Sequence, residues 1–249
     1  MRSFLLSISM VLFASLSAAQ NFSNMSESER TEFGAEVRAY LLQNPEVIME
    51  AVAVLEQRQA EQAAVSDQHL VAQYAENLFN DGFSRVMGNP DGTLLMVEFS
   101  DYKCGYCKRA HAEVQDLIAA NPDIRLVLKE YPILGQESIL AARAAISVLI
   151  NDGGDVYDAF NDALMLENGP LNEISLPLIA QSAGADSAKM METINSDLVT
   201  QIIRTNRTLG QQMDVSGTPT FVVGNQMLRG YVPLAQMQLI VDDVRNSSN

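Results

Sequence analysis

Cysteine is scarce in this sequence: its 249 residues contain only two, Cys104 and Cys107. This scarcity excludes a small fold held together by several disulfides. Both thiols lie in one short segment, Cys104-Gly105-Tyr106-Cys107. In the chain-entropy model, a disulfide across so short a loop adds only ~2 kcal/mol of stability, against ~4 to 5 kcal/mol for a long loop. A C-x-x-C motif that uses every thiol of the chain therefore favours a redox-active pair over a static structural crosslink.

Basic residues are also few. The sequence has 16 Lys and Arg against 31 Asp and Glu, which gives a formal net charge of −15. Such acidity argues against nucleic acid as a partner, because its phosphate backbone is itself anionic. Long apolar runs are missing after residue 19, since the best later one, residues 139–150, is interrupted by Arg143. We therefore expect no membrane span in that part of the chain.

Residues 1–19 have the pattern of a cleavable secretory signal. A positive start at Arg2 is followed by an apolar stretch and by the small residues Ser17-Ala18-Ala19. This combination is typical of a signal peptide that is removed on export. We expect the mature chain to reach an oxidising compartment, where a cysteine pair can cycle between dithiol and disulfide.

Residues 20–80 are predicted to form an all-α extension. Ser26-Glu27-Ser28-Glu29 fits a capping box and predicts a helix start, and Asn44-Pro45 predicts a second one. Apolar residues recur at helical spacing in both helices, whereas residues 57–68 are polar and Ala-rich and predict an exposed helical linker. An apolar stripe without a core of its own favours self-association, so we expect a homo-oligomer formed through residues 26–56. The alternative is that these helices fold back on the body of the protein.

Residues 81–249 are predicted to form an α/β domain. A strand, a helix and a second strand of this length form a parallel, right-handed crossover, with the cysteines at the start of the helix. Turn signals and periodicity predict the remaining elements. The predicted order is a strand over 94–99, a helix over 108–120, a strand over 124–128, about four helices over 135–213, a hairpin around Gly224-Asn225 and a last helix over 233–244.

Four separated segments carry a family resemblance. They are Val97-Glu98-Phe99-Ser100-Asp101-Tyr102 before the cysteine motif, Leu128-Lys129-Glu130-Tyr131-Pro132, Ala141-Ala142-Arg143-Ala144 and Gly217-Thr218-Pro219-Thr220-Phe221. In this order, over residues 86–245, the chain resembles the DsbA-like thiol-disulfide oxidoreductases. That family implies an α/β thioredoxin fold with a helical insertion at about 135–213. The N-terminal extension and the Cys-Gly-Tyr-Cys motif most resemble the ScsC branch, which is linked to copper tolerance and found in oligomeric forms.

The position of Cys104 favours a nucleophilic role. A helix start directs unpaired N–H groups at the sulfur and stabilises the thiolate, which is the form that attacks disulfides. This contribution of ~0.3 to 2 kcal/mol lowers the cysteine pKa from ~8.5 to about 7 at most. Lys103 and Lys108 can lower it further. Cys107, one turn inside the helix, is the expected resolving thiol.

The resemblance implies further site residues. Glu98 matches the family's buried acid and is expected to act as a proton relay for the cysteines, with Lys129 on the adjacent strand as its partner. Thr218-Pro219 matches the loop with a cis-proline that presents backbone to an extended substrate. Gly105 and Tyr106, between the two thiols, are expected to face the substrate as well.

A metal-binding role is the principal alternative from another functional class. Cys104, Cys107 and His111 offer three ligands, and Cu(I) accepts fewer thiolates than tetrahedral zinc. His111 by itself is more typical of a surface or core-edge residue. The twelve methionines form no repeated M-x-x-M cluster and are more typical of core filling. We expect no cofactor and no resident metal.

Together these features predict a periplasmic thiol-disulfide oxidoreductase that acts on exported proteins with cysteines and is recycled by a membrane redox partner. Gly105-Tyr106 lacks the histidine found between the cysteines of the strongest oxidants in this family. Joining several active sites through residues 26–56 would raise the local concentration of attacking thiols. Both features favour an isomerase or reductase over an oxidase.

Overall fold

A computed structural model describes residues 25–247, so the predicted signal peptide lies outside the described residues. Chain contacts divide it into two compact units, residues 25–58 and 59–247, which we describe separately. No helix within residues 25–247 is both long and apolar enough to cross a membrane. The helices are α1 (Glu27–Gln43), α2 (Glu46–Gln73), α3 (Ala75–Phe79), α4 (Gly105–Ala120), α5 (Gln136–Asp152), α6 (Gly154–Leu166), α7 (Ser175–Ser182), α8 (Ser187–Thr193), α9 (Asp197–Gln212) and α10 (Leu234–Ser247), and the strands are β1 (Arg85–Gly88), β2 (Leu94–Ser100), β3 (Ile124–Glu130), β4 (Thr220–Val223) and β5 (Gln226–Arg229).

The first unit contains α1 and the start of α2. The predicted capping box is present: the Glu29 amide donates to Ser26 Oγ, and the Ser26 amide donates to the Glu29 carboxylate at 2.8 Å. No residue from Ser26 to Arg58 is buried within this chain. The two helices nevertheless carry many large apolar side chains, all of them at least 41% exposed: Phe33, Val37, Tyr40, Leu42, Ile48, Met49, Val52, Val54 and Leu55.

The predicted exposed linker is helical and forms the later part of α2. Residues 57–66 are exposed, as expected, but the next residue is not. Asp67 is buried and forms a two-point ion pair with Arg229 at the end of β5, with N–O distances of 2.5 and 2.8 Å. Val71, Leu78 and Phe79 then join the core. The compact unit therefore begins earlier than the predicted boundary at residue 80.

The second unit is a five-stranded mixed sheet in the order β1-β3-β2-β4-β5. Strands β2 and β3 pair in parallel around α4, which confirms the predicted crossover, and the other pairs are antiparallel. Five helices, α5 to α9, form the insertion between β3 and β4, where about four were predicted. The short elements α3 and β1 were not predicted.

Strand alternation separates two layers on the sheet. On one face, Met96 and Leu126 pack with α4 and α10. On the other face, Val97 and Val127 pack with the end of α2, α3 and α9. A third cluster joins the cysteines to the helical insertion. Even-numbered side chains of β2 and β3 therefore lie on the face of Met96 and Leu126, and odd-numbered side chains lie on the face of Val97 and Val127.

A buried ion pair fixes the second layer. Lys129 Nζ lies 2.5 Å from Asp81 Oδ2 and 2.7 Å from the carbonyl oxygen of Asn77, and the lysine side chain is 0% exposed. Burial lowers the pKa of Lys129. Burial also acts to raise the pKa of Asp81, but the charge of Lys129 together with hydrogen bonds from Lys129 and Ser84 outweighs it, so the pKa of Asp81 is lowered. A lysine in this position needs its carboxylate, because an uncompensated buried charge is strongly destabilising.

We expect Asp81→Asn to lower the free energy of unfolding by about 3 to 5 kcal/mol, measured by urea denaturation. Asparagine keeps an oxygen for the amides of Phe83 and Ser84 but leaves Lys129 unpaired. The control is Lys189→Met, which breaks an ion pair with Asp186 whose lysine is 62% exposed and should cost under ~1 kcal/mol. Equal losses in the two variants would contradict the importance of the buried pair.

Candidate active site

Cys104 is the N-cap residue of α4. Its backbone is extended (φ −80°, ψ 114°), and its sulfur accepts a hydrogen bond from the Cys107 amide at 3.4 Å. The sulfur also lies 3.1 Å from the carbonyl oxygen of Thr218, to which the thiol form donates. A hydrogen bond from the Cys107 thiol, supported by the Thr218 side chain and by the amides of Cys107 and Tyr106, outweighs the effect of burial and lowers the pKa of Cys104 to about 5. This pKa lies below the value that the helix terminus alone predicts.

Cys107 has the opposite character. Its side chain is fully buried, and the hydrogen bond to Cys104, burial and the charge of Glu98 all raise its pKa. At neutral pH one thiol is therefore an anion and the other remains protonated. Because the thiolate is the attacking species, this division suits Cys104 to attack and Cys107 to resolve.

Glu98 lies beneath the two thiols on β2. It is 5% exposed, and burial, together with the nearby charge of Cys104, raises its pKa to about 7. Ser100 partly offsets this rise. A carboxyl with such a pKa exchanges protons readily at neutral pH.

A cavity of about 10 Å³ adjoins Glu98, and half of its lining residues are apolar. Besides Glu98, its polar lining consists of Ser100, His111, Gln115 and Asn161. Within the described part of the chain, Asn161 Oδ1 is buried and has no hydrogen-bond partner. A space of this size holds about one water molecule. The polar half of the lining offers hydrogen-bond partners for such a molecule beside Glu98.

The expected pairing of Lys129 with Glu98 is wrong. In the parallel register Glu98 lies opposite Leu128, and Lys129 lies opposite Phe99. Because side chains alternate along a strand, Lys129 points to the other face of the sheet, where it binds Asp81. It cannot exchange a proton with Glu98 directly.

Glu130 is a site residue that the sequence analysis missed. It is 6% exposed, and both Tyr102 Oη and Tyr157 Oη donate to its Oε1, at 2.7 and 2.5 Å. Burial raises its pKa to about 8, with the charges of Asp101 and Glu98 adding to the rise. The signal was available, because Glu130 shares the face of Glu98 by strand alternation, two positions beyond Leu128.

The Thr218-Pro219 loop closes the opposite side of Cys104. The peptide bond between the two residues is cis. The Pro219 carbonyl accepts a hydrogen bond from the Gly230 amide at 2.9 Å, which attaches the loop to the end of β5. The Thr218 carbonyl at Cys104 therefore presents backbone to the sulfur, in agreement with the position expected for a substrate-binding loop.

The two residues between the cysteines differ in their surroundings. A side chain at Gly105 would meet no atom within 4 Å, so steric contact does not explain its glycine. Tyr106 is 61% exposed and stacks on Tyr231, with ring centroids 6.2 Å apart. The Tyr106 ring thus leaves an aromatic surface exposed to solvent beside Cys104.

The neighbouring basic residues are engaged elsewhere. Lys103 pairs with Glu137 at 2.7 Å, and Lys108 binds the carbonyls of Leu164 and Glu167. His111 Nε2 lies 2.8 Å from Asp162 Oδ1. Over residues 25–247, no three side chains of His, Cys, Asp or Glu lie together in an arrangement that could hold a metal ion. His111 therefore does not complete a three-ligand site with the two cysteines.

Comparison with known proteins agrees with this geometry. Residues 96–242 match the model of the DSBA-like thioredoxin domain, and residues 29–62 match that of the copper resistance protein ScsC N-terminal domain. Among solved structures, BcfH from Salmonella enterica Typhimurium is 30% identical, with 87% of this chain and 96% of that chain covered and a TM-score of 0.74. ScsC from Proteus mirabilis in a transitional conformation is 28% identical, with coverages of 88% and 98% and a TM-score of 0.65. A thioredoxin-like oxidoreductase from Silicibacter pomeroyi is 42% identical, with coverages of 69% and 97% and a TM-score of 0.65.

Some curated relatives are longer proteins. The chain spans 22% of a Na(+)/H(+) antiporter NhaA 1 from Salinispora arenicola, at 25% identity over 145 residues. It spans 75% of disulfide bond formation protein D from Bacillus subtilis, at 24% identity. The domain match covers more than half of the sequence and includes the cysteine pair, Glu98 and the cis-proline loop. The chain therefore belongs to the DsbA-like thioredoxin-domain family of thiol-disulfide oxidoreductases.

Proposed function

We propose that this oxidoreductase is a disulfide isomerase or reductase of exported proteins in the periplasm. The observation that carries the preference for isomerisation is the exposed apolar surface of α1 and the start of α2, which can join several active sites on one particle. Gly105-Tyr106 also lacks a histidine between the cysteines, which argues against a strong oxidase. The pairing of an ionised Cys104 with a buried, protonated Cys107 supplies the attacking and the resolving thiol that exchange needs in either direction.

The chemistry follows from the contacts. The Cys104 thiolate attacks one sulfur of a client disulfide, the client S–S bond breaks, and the second client sulfur leaves as a thiolate. Cys107 then transfers its proton to the Glu98 carboxylate and attacks Cys104. The bond from Cys104 to the client breaks, the client leaves with both sulfurs reduced, and Cys104 and Cys107 form a disulfide. In isomerisation, the free client thiolate instead attacks a different client disulfide and releases another client thiolate. That second thiolate attacks the client sulfur of the mixed disulfide, so a new client disulfide forms and Cys104 leaves as a thiolate.

Reduction leaves the enzyme oxidised and needs a thiol reductant to restore it. A membrane redox partner is the proposed source of these electrons. The approach to Cys104 lies between the Thr218-Pro219 loop and Tyr106, so a partner thiol would use the same opening as the client.

We further propose self-association through residues 26–56. Nine large apolar side chains of α1 and the start of α2 are exposed within the chain, and an exposed apolar surface of this extent marks an interaction site. The match of residues 29–62 to an ScsC N-terminal domain supports the assignment. Several thiolates on one particle would hold a misfolded client near more than one attacking group.

A copper-binding role remains the second candidate because of the ScsC N-terminal match. Within the described residues, no His, Asp or Glu joins the two cysteines in a group that could hold a metal ion. Titration of the reduced protein with Cu(I), followed by competition with a chromogenic chelator, separates the two roles. A stoichiometric complex that needs both cysteines would support copper handling, and its absence would leave the redox role.

Replacement of Cys104 and replacement of Cys107 should impair the reaction at different steps. We expect Cys104→Ser to lose at least 100-fold in the rate of client disulfide reduction, because the attacking thiolate is gone. Cys107→Ser should form a mixed disulfide and release it slowly, visible as a covalent adduct on non-reducing gels. A wild-type rate of client disulfide reduction in the Cys104 variant would contradict the proposed activity.

The pKa of Cys104 predicts a pH profile. Because that pKa lies near 5, alkylation of the reduced protein by iodoacetamide should rise as pH increases through about 5 and then level off. Cys107→Ser removes the thiol that donates to Cys104, so its midpoint should move to higher pH. A midpoint near ~8.5 in the wild type, the value of a free cysteine, would contradict the proposed thiolate stabilisation.

Removal of residues 1–58 should test the role of self-association. The remaining chain keeps Asp67, Val71 and the rest of the compact unit, so it should fold and reduce simple disulfides at the wild-type rate. We expect it to be monomeric by light scattering and to lose most refolding of a scrambled-disulfide client. Full isomerisation by a monomer would separate this segment from the activity.

A further inference from the structure

Glu130 is a buried acid that the proposed exchange steps do not use. Its Oε1 atom accepts hydrogen bonds from two tyrosine hydroxyls, Tyr102 Oη at 2.7 Å and Tyr157 Oη at 2.5 Å. Asn161 Nδ2 also donates to Tyr102 Oη, at 3.0 Å. Each of these four side chains is at most 6% exposed, so their hydrogen bonds form away from water. We call the group of Tyr102, Glu130 and Tyr157 the buried junction.

The buried junction joins three separate parts of the fold. Glu130 is the last residue of β3, and Tyr102 belongs to the loop between β2 and α4. Tyr157 and Asn161 are four residues apart on α6, which places both on one side of that helix. The main chain of Glu130 is held as well, because its carbonyl accepts from Asn206 Nδ2 of α9 at 3.1 Å. The insertion is thereby bonded to the end of β3 and to the loop that leads to the cysteines.

The loop before the cysteines is a turn whose side chains fix it to its surroundings. The Cys104 amide donates to the Asp101 carbonyl at 3.0 Å and closes the turn, which contains Tyr102 and Lys103. The Asp101 carboxylate accepts from amides of the segment between β3 and α5. Lys103 pairs with Glu137 of α5, but both side chains are at least 31% exposed, and exposed ion pairs contribute little. Tyr102 therefore supplies the buried hydrogen bonds from this turn to the insertion.

The geometry of Cys104 depends on this turn. Its sulfur accepts from the Cys107 amide because α4 starts at Cys104. The stabilisation of an anion by a helix start is confined to the first turn, so a small displacement of the sulfur from the first amides weakens it. Tyr102, two residues before Cys104, limits such a displacement, because its ring is buried and its hydroxyl is held by two partners.

The protonation state of Glu130 suits a holding role. Burial, together with the charges of Asp101 and Glu98, outweighs the two tyrosine hydrogen bonds and raises the pKa of Glu130 to about 8. At neutral pH the carboxyl is therefore protonated, and it binds both tyrosines without adding a negative charge beside Glu98. Glutamine is a matched replacement under these conditions, since its side chain is neutral and its oxygen can accept from both hydroxyls.

We propose that Glu130 is a positioning residue of the redox site, which holds Tyr102 against α6 and so keeps Cys104 in the geometry that stabilises its thiolate. This inference rests on the proposed attack by the Cys104 thiolate. It also gives the insertion a part in the chemistry, because Tyr157 of α6 shares the Glu130 oxygen with Tyr102.

The test measures the pH midpoint of Cys104 alkylation by iodoacetamide in the reduced full-length protein and its variants. Glu130→Leu removes the acceptor of the buried junction, and Tyr157→Phe removes only the hydroxyl on α6. We expect both to raise the midpoint, Glu130→Leu by about 0.5 to 1 pH unit, which corresponds to the net contribution of one hydrogen bond. Glu130→Gln should keep the wild-type midpoint at neutral pH and below, because both tyrosines retain an acceptor.

Two further measurements separate positioning from general stability. In the Glu130→Leu background, Tyr157→Phe should add no further shift, because the hydroxyl has already lost its partner. The control is Thr193→Val, which removes a hydroxyl bonded to Asn151 at 2.7 Å within the insertion and should leave the midpoint unchanged, even where urea denaturation shows a loss of stability. If Glu130→Leu does not fold, Tyr157→Phe and Tyr102→Phe decide the outcome by the same criterion.

Three results would overturn the positioning role. They are a wild-type midpoint in the variants that break the buried junction, an equal shift in Thr193→Val, and a Glu130→Gln midpoint raised as far as that of Glu130→Leu. A wild-type midpoint near ~8.5, the value of a free cysteine, would instead refute the proposed Cys104 thiolate itself, and with it this role of Glu130.

Discussion

The hydrogen bond between the Cys107 thiol and the Cys104 sulfur divides two chemically identical groups into an anion and an acid. It exists because α4 begins at Cys104, so that the second cysteine follows one turn later and faces the first. The parallel pair β2 and β3 fixes the start of that helix, and the Thr218 carbonyl closes the other side of the sulfur. Glu98 matters only in this arrangement, since its charge acts on a thiol that is already buried and protonated.

Strand alternation explains which acids and bases can take part. Glu98 and Glu130 lie on the face of the sheet that supports the cysteines, whereas Lys129 lies on the other face with Asp81. The sequence placed the crossover, the cysteines and the buried acid correctly, because each depends on local periodicity or on a short motif. The predicted partner of Lys129 was wrong because the face of the sheet on which a side chain lies depends on the pairing register of β2 with β3. Counting two positions from Leu128, which lies opposite Glu98 in the parallel register, selects Glu130.

Other differences come from contacts between distant parts of the chain. The strand β1 has four residues and α3 has five, too short for a periodic pattern, and both are stabilised by packing on the sheet. The ion pair of Asp67 with Arg229 joins residues 162 positions apart, so nothing near Asp67 distinguishes it from the exposed polar residues before it. The contacts of Tyr231 were missed for the same reason: its partners Tyr106 and Glu113 belong to α4, and Glu113 lies 118 positions before it.

The helical insertion contributes directly to the site instead of merely covering it. Tyr157 of α6 donates to Glu130, and Glu137 of α5 engages Lys103. The carbonyls of Leu164 and Glu167, at the end of α6, bind Lys108, whose pKa is lowered by burial. Two cations that flank the cysteine motif in sequence are thus directed to the insertion, and the low pKa of Cys104 comes from hydrogen bonds. Because hydrogen bonds to a partly buried sulfur are screened less by salt than exposed charges, the thiolate should persist across ionic strengths, and the insertion makes this possible by engaging the lysines.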